Sequence, residues 1–330
     1  MASSRPRQGV DPTTLLDMIH PILHVTDPWG VVLRREAIAR GCSDNVLHRL
    51  VRDGTLIRLR QGIYALRSKY LAADNKTRHL MLCRGVMRLY AGHIALSHGS
   101  AALAQGGPDY GLDLVNAHVT HLEGGGRNVA RVVHHEGACR VGDLRRQDGH
   151  WITAPPRTVL DVACVSGAEA GLVQANHFLH LELTSLDELQ AVAKIEELWP
   201  RSLSHHLVLH LADPRVESVG ETRSSFLFFG QGLPAPVPQF EIPLSNGELA
   251  RVDFAWPELK VIVEFDGLGK YHRLRKPGET IEQMVMREKR REDLIREATG
   301  WTVIRLTWRD LEHPIATGLR IRRAMTPFAA

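Results

Sequence analysis

The sequence contains few cysteines, and none of them are closely paired. The four cysteines are Cys42, Cys83, Cys139 and Cys164, with no CxxC spacing among them. A zinc knuckle or a disulfide framework needs such spacing, so the pattern argues against both and favours reduced thiols. No apolar run is long enough to span a bilayer, and the charged N-terminus is not followed by the apolar core of a signal peptide. We therefore expect a cytoplasmic protein with no membrane partner.

Common motifs of nucleotide and zinc sites are missing as well. The glycines at 124–126 lack the GxGxxG spacing of a dinucleotide fingerprint. No HExxH occurs, and His118 and His121 are not at helical i,i+4 spacing. Zinc ligation is therefore not expected, and the histidines of this region are interpreted as surface or satisfied core residues.

What is present is an ordinary globular composition. The 330 residues are 44% apolar and 24% charged, with a formal net charge of +4. This length favours two or three domains, and the mild basic charge is compatible with nucleic acid without requiring it. We predict an α+β protein with three domains: a winged helix-turn-helix at 1–70, an α/β middle domain at 75–212, and a C-terminal αβββαβ domain at 214–330.

The N-terminal pattern predicts three helices followed by a β-hairpin. The expected elements lie at residues 15–23, 33–41, 43–54 and 55–66. Ser43 is a plausible N-cap of the third helix and Gly54 a plausible stop. This order is the layout of a winged helix-turn-helix, whose third helix can enter the major groove of double-stranded DNA.

The polar side of the third helix and the hairpin supply the candidate DNA contacts. These residues are Asn45, His48, Arg49, Arg52, Arg58 and Arg60. The helix residues would face base edges and phosphates, and the two hairpin arginines would reach the backbone. A small helical domain with a solvated polar face is the alternative.

The middle region mixes apolar helices with loops rich in Gly and His. Residues 93–107 predict a helix entered from a polar turn, and residues 116–128 a strand that ends in a Gly-rich loop. Residues 154–167 predict a helix that starts at a Pro pair, where proline is tolerated.

In the C-terminal region three carboxylates fall on or beside predicted strands. Side chains alternate along a strand, so Glu264 and Asp266 share one face of "VIVEFDG" with Ile262. Asp253 lies on the preceding strand and would meet Glu264 in a hairpin. Two carboxylates and a backbone carbonyl make a hard oxygen site for Mg²⁺ or Mn²⁺, and Glu221 could add a third carboxylate. Such a metal can activate water against a phosphodiester.

The same residues resemble the PD-(D/E)xK nuclease superfamily, in the branch of very-short-patch repair endonucleases. The resemblance rests on Glu221, Asp253 and "EFDGLGKY", with "LPAPVPQ", "EKRRED" and "GWTVIRLTW" around them. It implies a restriction-endonuclease-like fold in which Asp253 and Glu264 bind the metal and Glu221 assists. Asp266 stands where the superfamily has its lysine, although this branch commonly lacks it. Lys270 or Lys289 could place an ammonium in the site instead, and His272 is a further candidate as a proton donor or acceptor.

A second resemblance covers the rest of the chain. "GVVLRREAIARGCSDNVLHRLVRDGTLIRLRQGIYAL" resembles the winged helix of type IV abortive-infection antitoxins, and "LSHGSAALAQGG" and "PPRTVLDVACVSG" resemble the domain that follows it. The family implies binding to its own promoter and control of a nucleotidyltransferase toxin. Two functions stay open: a DNA endonuclease, or an antitoxin-like repressor whose nuclease-like fold does not cut. Phage defence fits both by resemblance, and the sequence gives no oligomeric state.

Overall fold

A computed structural model describes Ile22 and residues 24–123, 128–267 and 278–326. The chain forms two compact units, Met1–Asp161 and Val162–Ala330. This division falls inside the predicted middle domain, whose boundaries stay a prediction. Most of the first predicted helix, at 15–23, lies outside the described residues. Among the described helices, none has the length and apolar character needed to cross a membrane.

The first unit holds two sheets and their helices. Its elements are β1 (Val31–Leu33), α1 (Arg34–Ala39), α2 (Asp44–Arg52), β2 (Leu56–Arg60), β3 (Ile63–Leu66), α3 (Arg67–Ala72), α4 (Asn75–Tyr90), β4 (Ile94–Leu96), α5 (His98–Ala104), β5 (Ala117–His121), β6 (Val132–His135), β7 (Leu144–Gln147) and β8 (His150–Thr153). The helix α6 (Pro155–Ser166) follows and spans the boundary between the units.

The predicted helix–helix–hairpin order is present, with one additional strand. Strand β1 pairs antiparallel with β3, so the wing is a three-stranded sheet in the order β1-β3-β2. The Ser43 hydroxyl accepts the Val46 N–H at 3.4 Å at the start of α2. Gly54 ends the turn after the helix with a φ of +81°, a conformation that favours glycine. Leu47 and Leu50 are fully buried and pack α2 against the wing.

The second sheet of this unit is mixed, with the strand order β6-β5-β4-β8-β7. The sequence predicted only a helix at 93–107, whereas the structure has the short strand β4 before α5. Ile94, Ala95 and Leu96 are all buried, and a run of three residues is too short for periodicity to distinguish strand from helix. The predicted strand within 116–128 and the predicted helix within 154–167 are confirmed.

After the end of α6, the described part of the second unit has four helices and then the strands of a four-stranded sheet, and two short helices follow the last strand. Its elements are α7 (Ala168–His180), α8 (Leu186–Ile195), α9 (Leu203–Leu211), α10 (Val219–Gly230), β9 (Val237–Pro243), β10 (Leu249–Trp256), β11 (Val261–Phe265), α11 (Ile281–Thr299), β12 (Thr302–Leu306), α12 (Trp308–Leu311) and α13 (Pro314–Met325). From α10 to β12 the order is αβββαβ, as the sequence predicts.

This sheet has the order β12-β11-β10-β9, in which only β11 and β12 run parallel among the described strands. Val261, Val263 and Phe265 pack in one apolar core with Phe228 of α10. Ile262 packs in the other core, with Ile295 of α11. The alternation along β11 is therefore as predicted, and the face of Ile262 is the one that α11 covers.

Candidate nucleic-acid interface and carboxylate cleft

The predicted polar face of α2 is exposed. Asn45, His48, Arg49 and Arg52 are all exposed, while Leu47 and Leu50 of the same helix are buried. The helix therefore presents an amide, an imidazole and two guanidinium groups to solvent. These are groups that pair with base edges and phosphates.

An acidic residue at the start of α2 is neutralised within the fold. Asp44 accepts hydrogen bonds from both Nε and Nη2 of Arg34, the former at 2.6 Å. The Arg34 partner holds the pKa of Asp44 below its usual value. An unpaired carboxylate here would repel a phosphate backbone, and the ion pair removes that repulsion.

The two arginines of the wing lie in different surroundings. Arg58 is exposed, whereas Arg60 is half-buried and its Nε and Nη1 atoms have no hydrogen-bond partner among the described residues. The register between β2 and β3 shifts between these two positions, which directs the two side chains differently. Arg58 is therefore the wing arginine better placed for a phosphate.

The second candidate site is a cleft of about 570 Å³ between the sheet and α11 of the second unit, here called the carboxylate cleft. Three of its acids lie on the strands or directly after them: Asp253 on β10, Glu264 on β11, and Asp266 just past the end of β11. Further charged residues line it: Arg287, Glu288, Lys289, Arg291, Glu292, Asp293, Arg296 and Arg305. Six acidic and five basic side chains therefore share one cleft, so its charge is nearly balanced.

The cleft opens where β10 and β11 stop pairing. The described ladder between them ends at Phe254 and Val263, and the same register would next place Asp253 opposite Glu264. Instead, the Phe265 N–H donates to Asp253 Oδ2 at 2.7 Å. The Asp253 carboxylate thus accepts a hydrogen bond from a backbone N–H at the point where the β10–β11 ladder ends.

Strand β10 is also distorted at Asp253. Val252 and Phe254 are two residues apart yet pack in different apolar cores, so the regular alternation is interrupted between them. The position opposite Asp253 on β9 is Gln239, whose φ of +51° is unusual for a residue other than glycine. This interruption accompanies the placement of the Asp253 side chain in the same cleft as Glu264.

Arginine side chains lie beside the other two acids, Glu264 and Asp266. Arg291 Nη1 donates to Glu264 Oε1 at 2.9 Å, and Arg305 Nη1 lies 3.8 Å from Asp266 Oδ2. Arg305 Nη2 also pairs with Glu292 at 2.7 Å. Such pairing offsets the cost of partly burying carboxylates.

The donor set of the cleft is compatible with a hard divalent cation. Asp253 and Glu264 provide carboxylate oxygens, and Mg²⁺ commonly uses only one or two carboxylates while it keeps several waters. No group of three or more His, Cys, Asp or Glu side chains that could hold a metal ion occurs among the described residues. The fit is therefore to a cation held by two acids and solvent, and not to a closed protein cage.

The other predicted catalytic residues lie in several places. Glu221 of α10 is buried and is not among the residues that line the cleft; it accepts hydrogen bonds from Ser218 Oγ at 2.6 Å and from Gln239 Nε2 at 3.0 Å. Lys289 lines the cleft, is exposed, and makes no ion pair with any residue that the structure describes. Lys270 and His272 lie outside the described residues.

The sequence did not single out Arg291 or Arg305 as partners of particular acids. Arg305 lies opposite Glu264 in the parallel register of β11 and β12, and the sequence alone does not fix that register. The run "EKRRED" shows basic residues near the cleft, but only the rotation of α11 decides which of them meets Glu264.

The first unit contains a histidine cluster formed by His98 and His118, which are buried, and His135, which is half-buried. The rings of His98 and His135 stack with centroids 3.5 Å apart, and His118 Nδ1 lies 2.8 Å from His135 Nε2. Burial lowers the pKa of His135 to about 3, and burial also lowers the pKa of His98 and His118. Burial therefore favours the neutral form of these imidazoles.

One comparison with known proteins matches an N-terminal segment, and another matches most of the chain. A family model described as transcriptional regulator, AbiEi antitoxin, matches residues 27–67, which contain β1, both helices and the wing. This match suggests a transcriptional-regulator role and supports an N-terminal winged helix in the matched segment.

Two relatives are similar over a longer stretch. They are the uncharacterized proteins MT2308 and Rv2248 of Mycobacterium tuberculosis, from strains CDC 1551 / Oshkosh and ATCC 25618 / H37Rv. Each is 27% identical over 278 residues, which cover 83% of this chain and 93% of the relative. The similarity therefore extends beyond the winged helix.

Proposed function

We propose that the protein is an antitoxin-type regulator that binds double-stranded DNA through its winged helix. The observation that carries the proposal is the exposed face of α2, within a segment that matches antitoxin regulators. In this reading α2 enters the major groove, where Asn45 and His48 meet base edges. Arg49, Arg52 and Arg58 meet phosphates, and Arg60 supports the wing. A nucleotidyltransferase toxin is the expected partner.

Fluorescence anisotropy with the duplex upstream of the protein's own gene tests this function. Arg52→Ala should weaken binding about 5-fold or more, because a phosphate contact is lost. Arg323→Ala, which removes an exposed arginine of α13, is the matched control and should leave the affinity unchanged. Absence of binding to the upstream duplex, or equal effects of the two substitutions, would contradict the proposal.

A second candidate function is metal-dependent hydrolysis of DNA in the carboxylate cleft. It is favoured by the open end of the β10–β11 ladder, where Asp253 and Glu264 line one cleft. These two side chains would hold Mg²⁺ or Mn²⁺, which would supply a Lewis acid for water and phosphate. Lys289, exposed at the cleft, would contact the phosphate in place of the superfamily lysine. Glu221, held by Gln239, would act as a positioning residue behind Asp253.

Nicking of supercoiled plasmid DNA in Mg²⁺ or Mn²⁺ tests the second function. Asp253→Asn and Glu264→Gln should each reduce nicking by about 100-fold or more, in line with the loss of an essential electrostatic group. Glu258→Gln, an exposed acid in the turn between β10 and β11, is the control and should retain activity. Nicking that survives both cleft substitutions would sink the idea, as would the absence of metal-dependent nicking.

A further inference from the structure

Arg291 connects the two strands at the open end of the ladder. Its Nη1 donates to Glu264 Oε1 on β11 at 2.9 Å, and its Nη2 donates to the backbone carbonyl of Arg251 on β10 at 2.5 Å. The side chain of Glu264 is 13% exposed and that of Arg291 is 29% exposed. The pair is therefore largely enclosed yet reachable from the cleft.

Two neighbouring arginines, Arg305 and Arg287, pair with other acids. Arg305 is opposite Glu264 in the register, but its Nη2 pairs with Glu292 at 2.7 Å. Arg287 pairs with Glu279 and with Glu288, each at 2.9 Å. Within the described part of the chain, Arg291 is the cation in direct contact with Glu264.

We propose that Arg291 is a resident cation of the carboxylate cleft, which a divalent cation must displace from Glu264. This inference rests on the second candidate function, because it concerns the same pair of acids. A guanidinium stays protonated at any pH at which the protein is folded, so it cannot leave by losing its charge. Binding of a divalent cation at Glu264 is then an exchange of cations, and its affinity is lowered by the free energy of the ion pair that it breaks.

The exchange would couple metal binding to nucleic acid. Once displaced, the guanidinium remains on α11 at the edge of the cleft, where a phosphate is its natural bidentate partner. A phosphodiester would therefore favour the metal-loaded state, because it would bind the displaced guanidinium of Arg291. The carboxylate cleft would therefore bind a divalent cation weakly until a polyanion is present.

The opposite arrangement makes a different prediction. Arg291 could remain on Glu264 Oε1 and orient the other oxygen, Oε2, toward the metal, as outer hydrogen bonds orient many metal ligands. Removal of the guanidinium would then weaken metal binding. The sign of the change in affinity distinguishes displacement from orientation.

Calorimetric titration of the full chain with Mn²⁺, without DNA, measures that sign. Arg291→Gln keeps a helix-forming residue and a donor for the Arg251 carbonyl but removes the charge, and should bind Mn²⁺ about fivefold tighter or more. Arg291→Lys keeps the charge and should stay within about twofold of the wild type. Arg290→Gln is the matched control, since Arg290 is exposed and makes no ion pair with a described residue; it should also stay within about twofold.

Adding Glu264→Gln to Arg291→Gln should abolish the gain, which assigns the binding to this acid. An unchanged or weaker affinity of Arg291→Gln would overturn the inference, and so would the absence of Mn²⁺ binding to that variant. Far-UV circular dichroism and the melting temperature establish that each variant folds. Tighter Mn²⁺ binding without plasmid nicking would remove the second candidate function and leave the inference standing.

Discussion

Gly220 lies where α10 approaches β11 too closely for a side chain. A Cβ built at this position would be 2.0 Å from Cε1 of Phe265, whose ring is buried and belongs to the core under the sheet. Phe265 also carries the N–H that binds Asp253. A glycine in a helix costs conformational entropy, and here close packing against the strand explains its presence.

Gly220→Ala should lower the free energy of unfolding by about 1–3 kcal/mol, because the ring or the helix must shift to admit the methyl group. The change in the urea midpoint measures this. Gly230→Ala, in the same helix, is the control: nothing lies within 4 Å of its built Cβ, so it should be neutral or stabilising. Equal effects of the two substitutions would show that propensity, and not the contact with Phe265, sets the outcome.

At the scale of elements, β5 and β6 carry histidines on both faces of a parallel pair. His118 contacts His135 on one face, and His121 Nε2 lies 2.9 Å from His134 Nδ1 on the other. Farther into the core, burial lowers the pKa of His79 to about 4, and its Nε2 lies 2.9 Å from Ser100 Oγ. Burial thus lowers the pKa of His79 on α4 and of His118, His134 and His135 on the two strands, which favours their neutral forms.

The stability of the first unit should fall as the pH drops below about 6.5. His79 and His135 have folded-state pKa values of about 4 and about 3, below the unfolded value of 6.5. Between those values the unfolded chain binds more protons, so each histidine contributes a slope of up to about 1.4 kcal/mol per pH unit. Urea unfolding at pH 7.5, 6.0 and 5.0 measures the slope.

His135→Gln should reduce that dependence on pH, since the amide replaces one of the groups that must stay neutral. The comparison is made between slopes, because the substitution also changes packing. A variant whose slope equals that of the wild type would show that other groups control the loss of stability in acid.

At the scale of the whole molecule, much of the element order could be predicted, because apolar periodicity, caps and turn residues are local signals. The face shared by Ile262, Glu264 and Asp266 follows from strand alternation alone. The break at Asp253 could not be predicted, because it depends on the backbone of Gln239 and on where the ladder ends. The pairing of Arg291 with Glu264 depends on the rotation of α11 over the sheet, which single-sequence periodicity does not fix.

The two candidate sites lie on different compact units, the α2 face on the first and the carboxylate cleft on the second. Residues 27–67 match antitoxin regulators, and the similarity to the mycobacterial proteins extends well beyond that segment. The transcriptional-regulator role that the first match suggests is consistent with the exposed face of α2. The carboxylate cleft has a donor set that a transcriptional regulator does not require.

The open ladder end also provides a spectroscopic reporter. The Phe265 amide donates to a carboxylate oxygen at 2.7 Å and not to a strand carbonyl. A short bond to a charged acceptor deshields an amide proton, so this resonance should lie downfield in a ¹⁵N–¹H spectrum. Substitution of Asp253, or a cation that binds its oxygens, would move that one peak. The Phe265 amide of β11 thus reports on the state of the Asp253 side chain without an added probe.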